Sequence, residues 1–151
     1  MILDERTEFA DATSVGTPNN TTVNVGDIID MGAVTRDVGQ GHPVYLHISI
    51  DTAVTSGGSA TVAFLVVSDS TTTIAVNGTA TKHLETDAIA VATLVAGYSF
   101  SLVLPAGGPD YERYLAFQVK ETAGQALTAG AVNAFISPDA HGWTSYPDAD
   151  N

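Results

Sequence analysis

The sequence predicts an all-β protein, an antiparallel two-sheet sandwich of jelly-roll type with about eight strands and an extended N-terminal arm. Short segments in which apolar and polar residues alternate recur along the chain, as half-buried strands require. Turn signals rich in Gly, Pro, Asn and Asp separate these segments. No long amphipathic helix and no self-similar repeat interrupts them. Alternation fits other sandwiches equally, and the jelly roll is the form we expect.

The chain is predicted to divide into an arm, one domain and a tail. At 151 residues it is long enough for a single domain that buries roughly 70% of the surface of its unfolded form. We predict an N-terminal arm over 1–20, the jelly-roll domain over 21–138 and an irregular C-terminal tail over 139–151. The first segment is polar with few apolar anchors, so we interpret it as an arm rather than a core strand.

The first half of the domain is predicted to hold three strands. A strand over 23–29 is interrupted near Gly26, where a bulge is expected. The clearest half-buried strand follows at 44–51, and 52–59 supplies the next turn. Residues 62–67 are apolar on both faces, which predicts a central strand.

The next predicted elements are a hairpin and two strands. Asn77-Gly78 accepts the positive φ angles of a type I′ turn, so 74–81 is predicted to form a short exposed hairpin. Segment 87–97 is rich in Ala, which suits a helix, but its larger apolar residues keep a period of two and favour a strand. Residues 98–104 alternate cleanly and end at a Pro- and Gly-rich breaker.

The last two predicted strands cover 114–120 and 129–136, joined by a short polar loop. One face of the first is apolar and the other carries Tyr114, Gln118 and Lys120, which predicts a sheet with one dry side and one wet side. Apolar side chains lie on both faces of the second strand, so both of its faces are predicted to be covered.

Charge and composition restrict the partners. Seventeen acidic residues against five basic residues give a formal charge of −12, so nucleic acid is the least expected ligand. The absence of cysteine excludes a disulfide framework, a thiolate nucleophile and a zinc site of the Cys type. The N-terminus lacks the basic start and apolar run of a signal peptide, and no run approaches the ~20 apolar residues of a membrane helix. We therefore expect synthesis in the cytoplasm and no membrane partner.

The residues predict no catalytic site, no cofactor and no metal. Metal sites need several ligands that converge, and the histidines are scattered, so we expect each of them to be an ordinary surface residue. They are His42, His47, His83 and His141. No nucleophile with an adjacent base stands out, and an enzyme is not expected.

The aspartates of two Gly-containing loops invite a calcium interpretation. Asp27, Asp30 and Asp37 reproduce neither an EF-hand loop nor an Asp-rich repeat, so we interpret them as turn residues.

Two other classes of function compete with a purely structural role. Trp143, Tyr146 and Tyr98 offer aromatic rings for a sugar-stacking platform, so one alternative is a carbohydrate-binding jelly roll. A metal-dependent, cupin-like enzyme is the other.

Several segments, taken in order, resemble the jelly-roll capsid cement, or decoration, proteins of tailed bacteriophages. They are "MILD", "DIIDMG", "RDVGQGHPVYLHISI", "GGSATVAFLVVSDS", "LVAGYSFSLVLP", "ERYLAFQV", "TAGAVNAFISPD" and "SYP". The resemblance covers nearly the entire chain through structural motifs. It implies a virion protein, made in the host cytoplasm, on the outer surface of an icosahedral head, where it bridges major capsid protein subunits and pairs with itself as a homodimer. The charge of −12 fits an outer position, away from packaged DNA.

The residues proposed for an interface, with the capsid or with a second copy, are apolar, aromatic or arginine side chains, the types enriched at interfaces. They are Ile2, Leu3, Phe9, Arg36, Arg113, Tyr114, Trp143 and Tyr146. The apolar residues of the arm are predicted to dock either on a neighbouring subunit or on their own sandwich. Arg113 is predicted to pair with a carboxylate across an interface or, within the chain, with Asp110 or Glu112.

Overall fold

The computed structural model describes residues 5–32, 38–39 and 41–139, which form two antiparallel sheets packed face to face. The prediction of an all-β antiparallel sandwich is therefore confirmed. The strands are β1 (Glu8–Ser14), β2 (Thr22–Asn24), β3 (Ile29–Asp30), β4 (Tyr45–Ser56), β5 (Thr61–Asp69), β6 (Thr81–Glu85), β7 (Ile89–Ala90), β8 (Ser99–Val103), β9 (Tyr114–Glu121) and β10 (Leu127–Ser137). Two single-turn 3₁₀ helices, η1 (Glu5–Thr7) and η2 (Val91–Thr93), complete the described elements.

The strand order is that of a jelly roll. Sheet 1 has the order β1-β10-β4-β8, and sheet 2 has the order β2-β9-β5-β6. β3 continues the pairing of β2 along β9, and β7 continues the pairing of β6 along β5. When β2 and β3 are counted as one interrupted strand, and β6 and β7 as another, the fold has eight strands. Their order matches the jelly-roll wrapping of two Greek keys.

The core lies between the sheets and is built by alternation. The Phe64 and Phe117 rings stack with centroids 5.8 Å apart, and Phe9 lies 6.2 Å from Phe117. Leu115, Phe117 and Val119, the predicted dry face of β9, are all fully buried in this cluster.

Strand β1 corrects the prediction of an arm over 1–20. Residues Glu8–Ser14 pair with β10, from Glu8 opposite Phe135 to Ser14 opposite Ala131, so they are part of sheet 1. The sequence hides this strand because its register shifts twice, and the irregular pairing breaks the period of two that marks a strand. Phe9 is fully buried in its own sandwich, so for this side chain docking within the chain is the correct alternative.

The predicted interruption near Gly26 is confirmed. Gly26 has φ +73° between β2 and β3, and a Cβ added there would lie 1.8 Å from the carbonyl oxygen of Phe9. That carbonyl accepts a 2.6 Å hydrogen bond from the Asp27 N–H. The break thus lets the chain of sheet 2 approach β1 of sheet 1 closely.

Two boundaries differ from the prediction. β4 runs on to Ser56, through most of the predicted turn at 52–59, because its second half pairs with the first half of β10. The predicted strand over 87–97 is wrong beyond β7, since Val91–Thr93 form η2 and turn the chain so that Leu94 is fully buried.

The exposed hairpin predicted over 74–81 is also wrong. Residues 70–80 contain no strand and fold onto the outer face of sheet 2, where Ile74 packs against Leu65 and Ala116 and is only 4% exposed. Gln118 donates hydrogen bonds to Asn24 Oδ1 (2.8 Å) and to the Ala75 carbonyl (3.0 Å), which fixes the segment in place. Much of the predicted wet face of β9 is therefore covered.

The remaining strand predictions are confirmed. β5 lies between β9 and β6 and is buried on both faces, and β8 matches the alternation of 98–104. Both faces of β10 are covered, with Val132 fully buried on one and Phe135 only 8% exposed on the other. In the part of the chain that the structure describes, no helix is long and apolar enough to cross a membrane.

Candidate functional site

A cleft in the surface of the described chain lies where β1 begins and β3 ends, and it is here called the β1–β3 cleft. Its main hollow measures about 550 Å³, and a smaller hollow of about 290 Å³ adjoins it through the shared residues Glu8 and Asp27. The main hollow is lined by Arg6, Glu8, Asp27, Ile28, Ile29 and Asp30. Ile28, 37% exposed, places an apolar side chain among carboxylates.

Arg113 is held at the edge of this cleft by Asp30. Its Nε and Nη2 atoms each donate a 2.8 Å hydrogen bond to one carboxylate oxygen of Asp30, a bidentate pair. The pair forms because β3 lies beside the start of β9, where Asp30 is opposite Tyr114. The hydrogen bond from Arg113, followed by that from the Gly32 N–H, lowers the pKa of Asp30 to about 2.

This pair corrects one part of the sequence prediction. The carboxylate partner of Arg113 within the chain is Asp30, and neither Asp110 nor Glu112 forms a salt bridge with it. The Arg113 guanidinium also lies 4.8 Å from the centre of the Tyr114 ring, within the range of a cation–π contact. Arg113 keeps 43% of its side chain exposed, so its outer surface is open to solvent.

The other interface predictions divide into two groups. Tyr114 is half-buried and packs against the outer-face cluster of sheet 2, and Phe9 is in the core. The rest lie outside the described residues: Ile2, Leu3, Arg36, Trp143 and Tyr146.

His47 is a structural side chain on the outer face of sheet 1, and its prediction as a surface histidine is wrong. It is 5% exposed, and its ring stacks on Phe135 with centroids 4.9 Å apart. Nε2 lies 2.9 Å from the Asp139 carbonyl and Nδ1 lies 2.7 Å from the Ser101 hydroxyl. A neutral ring satisfies both contacts, with Nε2–H donating to the carbonyl and Nδ1 accepting from Ser101. Burial lowers the pKa of His47, against the smaller opposing effect of the Asp139 carbonyl.

His83 has a comparable structural role on sheet 2, so the surface prediction is wrong for it also. Its ring stacks on Tyr111 with centroids 3.7 Å apart, and Nε2 lies 2.7 Å from the Ser68 hydroxyl. That hydroxyl oxygen also accepts a 3.0 Å hydrogen bond from the Glu112 N–H, which leaves its proton available to donate to Nε2 of His83. Burial lowers the pKa of His83, and the charge of Glu112 opposes that shift.

The Ser68–His83 distance is one that a nucleophile and its base would have. Ser68 is fully buried, however, and its oxygen is engaged by both His83 and a backbone N–H. In this arrangement a substrate cannot reach the hydroxyl. The pair instead joins β5 to β6 and to the loop before β9.

Glu121 is a fully buried carboxylate at the end of β9. Its oxygens accept hydrogen bonds from the backbone N–H groups of Asn20 (2.7 Å), Ala123 (2.7 Å) and Gly124 (3.0 Å). Burial acts to raise the pKa of Glu121, but these bonds, together with one from the Gln125 N–H, outweigh it and lower the pKa. The carboxylate ties the β9–β10 turn to the loop before β2.

Lys82 and Lys120 converge on Glu85 over the outer face of sheet 2. Lys120 Nζ lies 3.2 Å from Glu85 Oε1, and Lys82 bonds the other oxygen. They line a hollow of only about 130 Å³. Both cations are thereby paired within the chain.

The calcium interpretation gains no support from the geometry. Asp30 is engaged by Arg113, and Asp37 and His141 lie outside the described residues. Within those residues no group of three or more His, Asp or Glu side chains is placed to hold a metal ion.

The fold and its buried polar groups define a jelly-roll protein whose internal polar chemistry holds strands and turns together. The chain belongs to the Bbp16 family, because the family model of that name matches residues 9–136. The match begins at Phe9 of β1 and ends at Ile136 of β10, so it takes in both sheets. No curated protein matches the chain closely enough to count as a relative.

Proposed function

We propose that the protein is a capsid cement, or decoration, protein that binds the outside of a phage head and bridges major capsid protein subunits. Membership of the Bbp16 family, a name that points to a phage protein, supports the phage assignment. The sequence resemblance to jelly-roll cement proteins supports the more specific role.

The observation that carries the proposal is the use of the buried polar groups. His47, Ser68 and Glu121 are satisfied by partners within the chain, and each joins separate parts of the jelly roll. These contacts hold strands and loops together within the chain, as a subunit that bridges others requires.

The charge of the chain supports a position on the outer surface. A formal charge of −12 disfavours contact with packaged DNA, whereas the outer surface of a shell exposes the protein to solvent and counterions. The β1–β3 cleft, with its carboxylates and the exposed Ile28, is the recess that we propose for a capsid side chain. Its chemistry fits a basic residue with an apolar stem, such as arginine or lysine.

Rebinding to stripped heads tests this function. Purified protein is added to phage heads from which the natural protein has been removed, and binding is measured by co-sedimentation and by cryo-electron microscopy. We expect saturable binding to the outer surface and an increase in the temperature at which the heads release DNA. The variant I28K is expected to weaken binding about tenfold or more, because it places a positive charge where we expect a basic capsid residue. The matched control V76K alters a comparably exposed side chain on residues 70–80 and should bind normally.

Absence of binding to stripped heads would contradict the proposal. Binding to glycans with no affinity for heads would instead favour the carbohydrate-binding alternative.

A further inference from the structure

The outer edge of strand β8 differs from every other sheet edge of the described structure. β8 ends sheet 1 and pairs on one side with β4. The opposite end of that sheet, β1, carries Glu8 and Asp11, and β6 of sheet 2 carries Lys82 and Glu85. The remaining edge elements, β2, β3 and β7, are only 3, 2 and 2 residues long. Natural proteins block open edges with charge or shortness, and β8 has neither protection.

The backbone of β8 is oriented so that alternate residues face outward. The Leu104 N–H donates to the Val44 carbonyl (2.8 Å), and the Tyr98 carbonyl accepts from the Ile50 N–H (2.8 Å). Backbone groups alternate in direction along an antiparallel strand, so the intervening odd-numbered residues direct theirs away from β4. These residues are Ser99, Ser101 and Val103, and all three are exposed. Within the described chain no strand pairs with the outward backbone groups of these residues.

The stretch of sequence that contains this edge carries no charge. Residues 88–109 contain no Asp, Glu, Lys, Arg or His, in a chain whose formal charge is −12. The exposed apolar side chains Val95 and Val103, each 53% exposed, lie within this stretch, one shortly before β8 and one at its end. Two copies of so acidic a chain repel each other over most of their surfaces, and repulsion is least where they meet through an uncharged edge.

We propose that two copies of the chain pair through their β8 strands, antiparallel and about a two-fold axis, so that sheet 1 continues from one copy into the other. The register places Ser101 opposite its counterpart and Ser99 opposite Val103 of the second copy. This register uses the outward groups of all three residues and forms about six hydrogen bonds. The inference rests on the proposed function for its biological meaning, because a two-fold pair gives a cement protein two linked attachment points.

The absence of cysteine allows a direct test of the register. In S101C the introduced thiol lies next to the axis, with Cα atoms about 5.5 Å apart, so mild oxidation should link most of the protein as a covalent dimer. V103C alone should link poorly, because the two copies of residue 103 lie on opposite sides of the axis, each two residues away from it. An equimolar mixture of V103C and S99C should link well. V76C, with a comparably exposed position on residues 70–80, is the matched control and should remain monomeric on a denaturing gel.

Sedimentation velocity tests the edge itself. V103K introduces the edge charge that β8 lacks, and we expect it to raise the dissociation constant of the dimer about tenfold or more. V76K is the control and should leave the constant unchanged. Circular dichroism establishes that both variants are folded, and S101C cross-linking in the otherwise unaltered chain gives a result even if V103K does not fold.

The inference is overturned if the protein is monomeric at high concentration, or if it is dimeric with a constant that V103K does not change. It is also overturned if S101C links no faster than V76C. Failure of the proposed function is distinguishable, since a dimer that cross-links through S101C yet never binds heads would leave the β8 pairing intact and remove only the capsid role. Conversely, monomers that bind heads through a capsid strand added to β8 would keep the capsid role and remove the self-pairing.

Discussion

At the scale of single residues, the most informative side chain is Glu121. A fully buried carboxylate is costly to desolvate, and here the cost is offset by backbone N–H donors from two separate loops. Removing the charge while keeping the shape leaves those donors opposite an amide, so E121Q should destabilise the fold by about 2–4 kcal/mol.

The measurement is urea unfolding monitored by circular dichroism. D51N, which neutralises an exposed carboxylate on β4, is the control and should stay within about 0.5 kcal/mol of the natural sequence. An E121Q variant as stable as D51N would show that the backbone hydrogen bonds do not hold the two loops together.

The two half-buried or buried histidines predict a dependence of stability on pH. The folded-state pKa values of His47 and His83 are lowered from 6.5 by burial, so the unfolded chain binds protons more readily than the folded one. The contribution of these histidines to stability is therefore greatest above pH 6.5 and falls as the pH drops below that value. It stops falling once the pH is below their folded-state pKa values. Melting temperatures between pH 8 and pH 5 should follow this course, and H83Q should show a shallower fall. A fall in H83Q as steep as in the natural sequence would assign the effect to other groups.

At the scale of elements, the close contact between Gly26 and strand β1 can be tested by comparing substitutions at Gly26 and Gly78. Gly26 and Gly78 both have positive φ, at +73° and +88°, but a Cβ at Gly26 would meet the Phe9 carbonyl while one at Gly78 would meet nothing within 4 Å. Both G26A and G78A lose about 1–2 kcal/mol to backbone strain. G26A should lose several kcal/mol more by forcing the two sheets apart, and thermal unfolding of the two variants checks the difference. Equal melting temperatures would mean that β1 is not held against Gly26.

Alternation predicted the elements that depend on local pattern. β5, β8, β9 and the first half of β4 each bury one face or both against an adjacent sheet, and burial of that kind leaves a period of two in the sequence. β1 left no such mark, because its register shifts interrupt the period. The covering of β9 by residues 70–80 was also not predictable, since the Ile74 contacts join segments that are far apart in the sequence.

The candidate site was less predictable than the fold. The sequence singled out Arg113, but its partner Asp30 is 83 positions away and resembles an ordinary turn residue. His47 and His83 were predicted to be exposed because a polar residue at an outer position normally is. Their burial follows from Phe135 and Tyr111, aromatic rings that stack on them from other parts of the chain.

At the scale of the whole molecule, charge and polar chemistry are distributed unequally. Acidic residues outnumber basic residues 17 to 5, buried polar groups join strands to loops, and the uncharged stretch 88–109 supplies the β8 edge. This distribution separates the two associations that we propose. Self-pairing uses the neutral edge, whereas the capsid contact uses the acidic β1–β3 cleft beside Asp30 and Arg113.

The N-terminal segment tests whether a capsid clasp exists apart from the jelly roll. Phe9 belongs to the core, so a clasp must depend on the residues before β1, where Ile2 and Leu3 are the large apolar side chains that follow Met1. Deleting residues 1–4 leaves β1 complete, and we expect the melting temperature of the free subunit to change by less than about 2 °C. Rebinding to stripped heads should weaken about tenfold or more, because two apolar side chains lose their contact with the capsid.

F9A is the matched comparison, since it should cost about 3–5 kcal/mol of stability by leaving a cavity beside Phe117. Below its melting temperature F9A should still bind heads, which separates loss of fold from loss of contact. If the deletion instead lowers the melting temperature as far as F9A does, residues 1–4 serve the subunit's own fold. If the shortened chain binds heads as tightly as the full chain, the capsid contact lies in the β1–β3 cleft without help from the N-terminus.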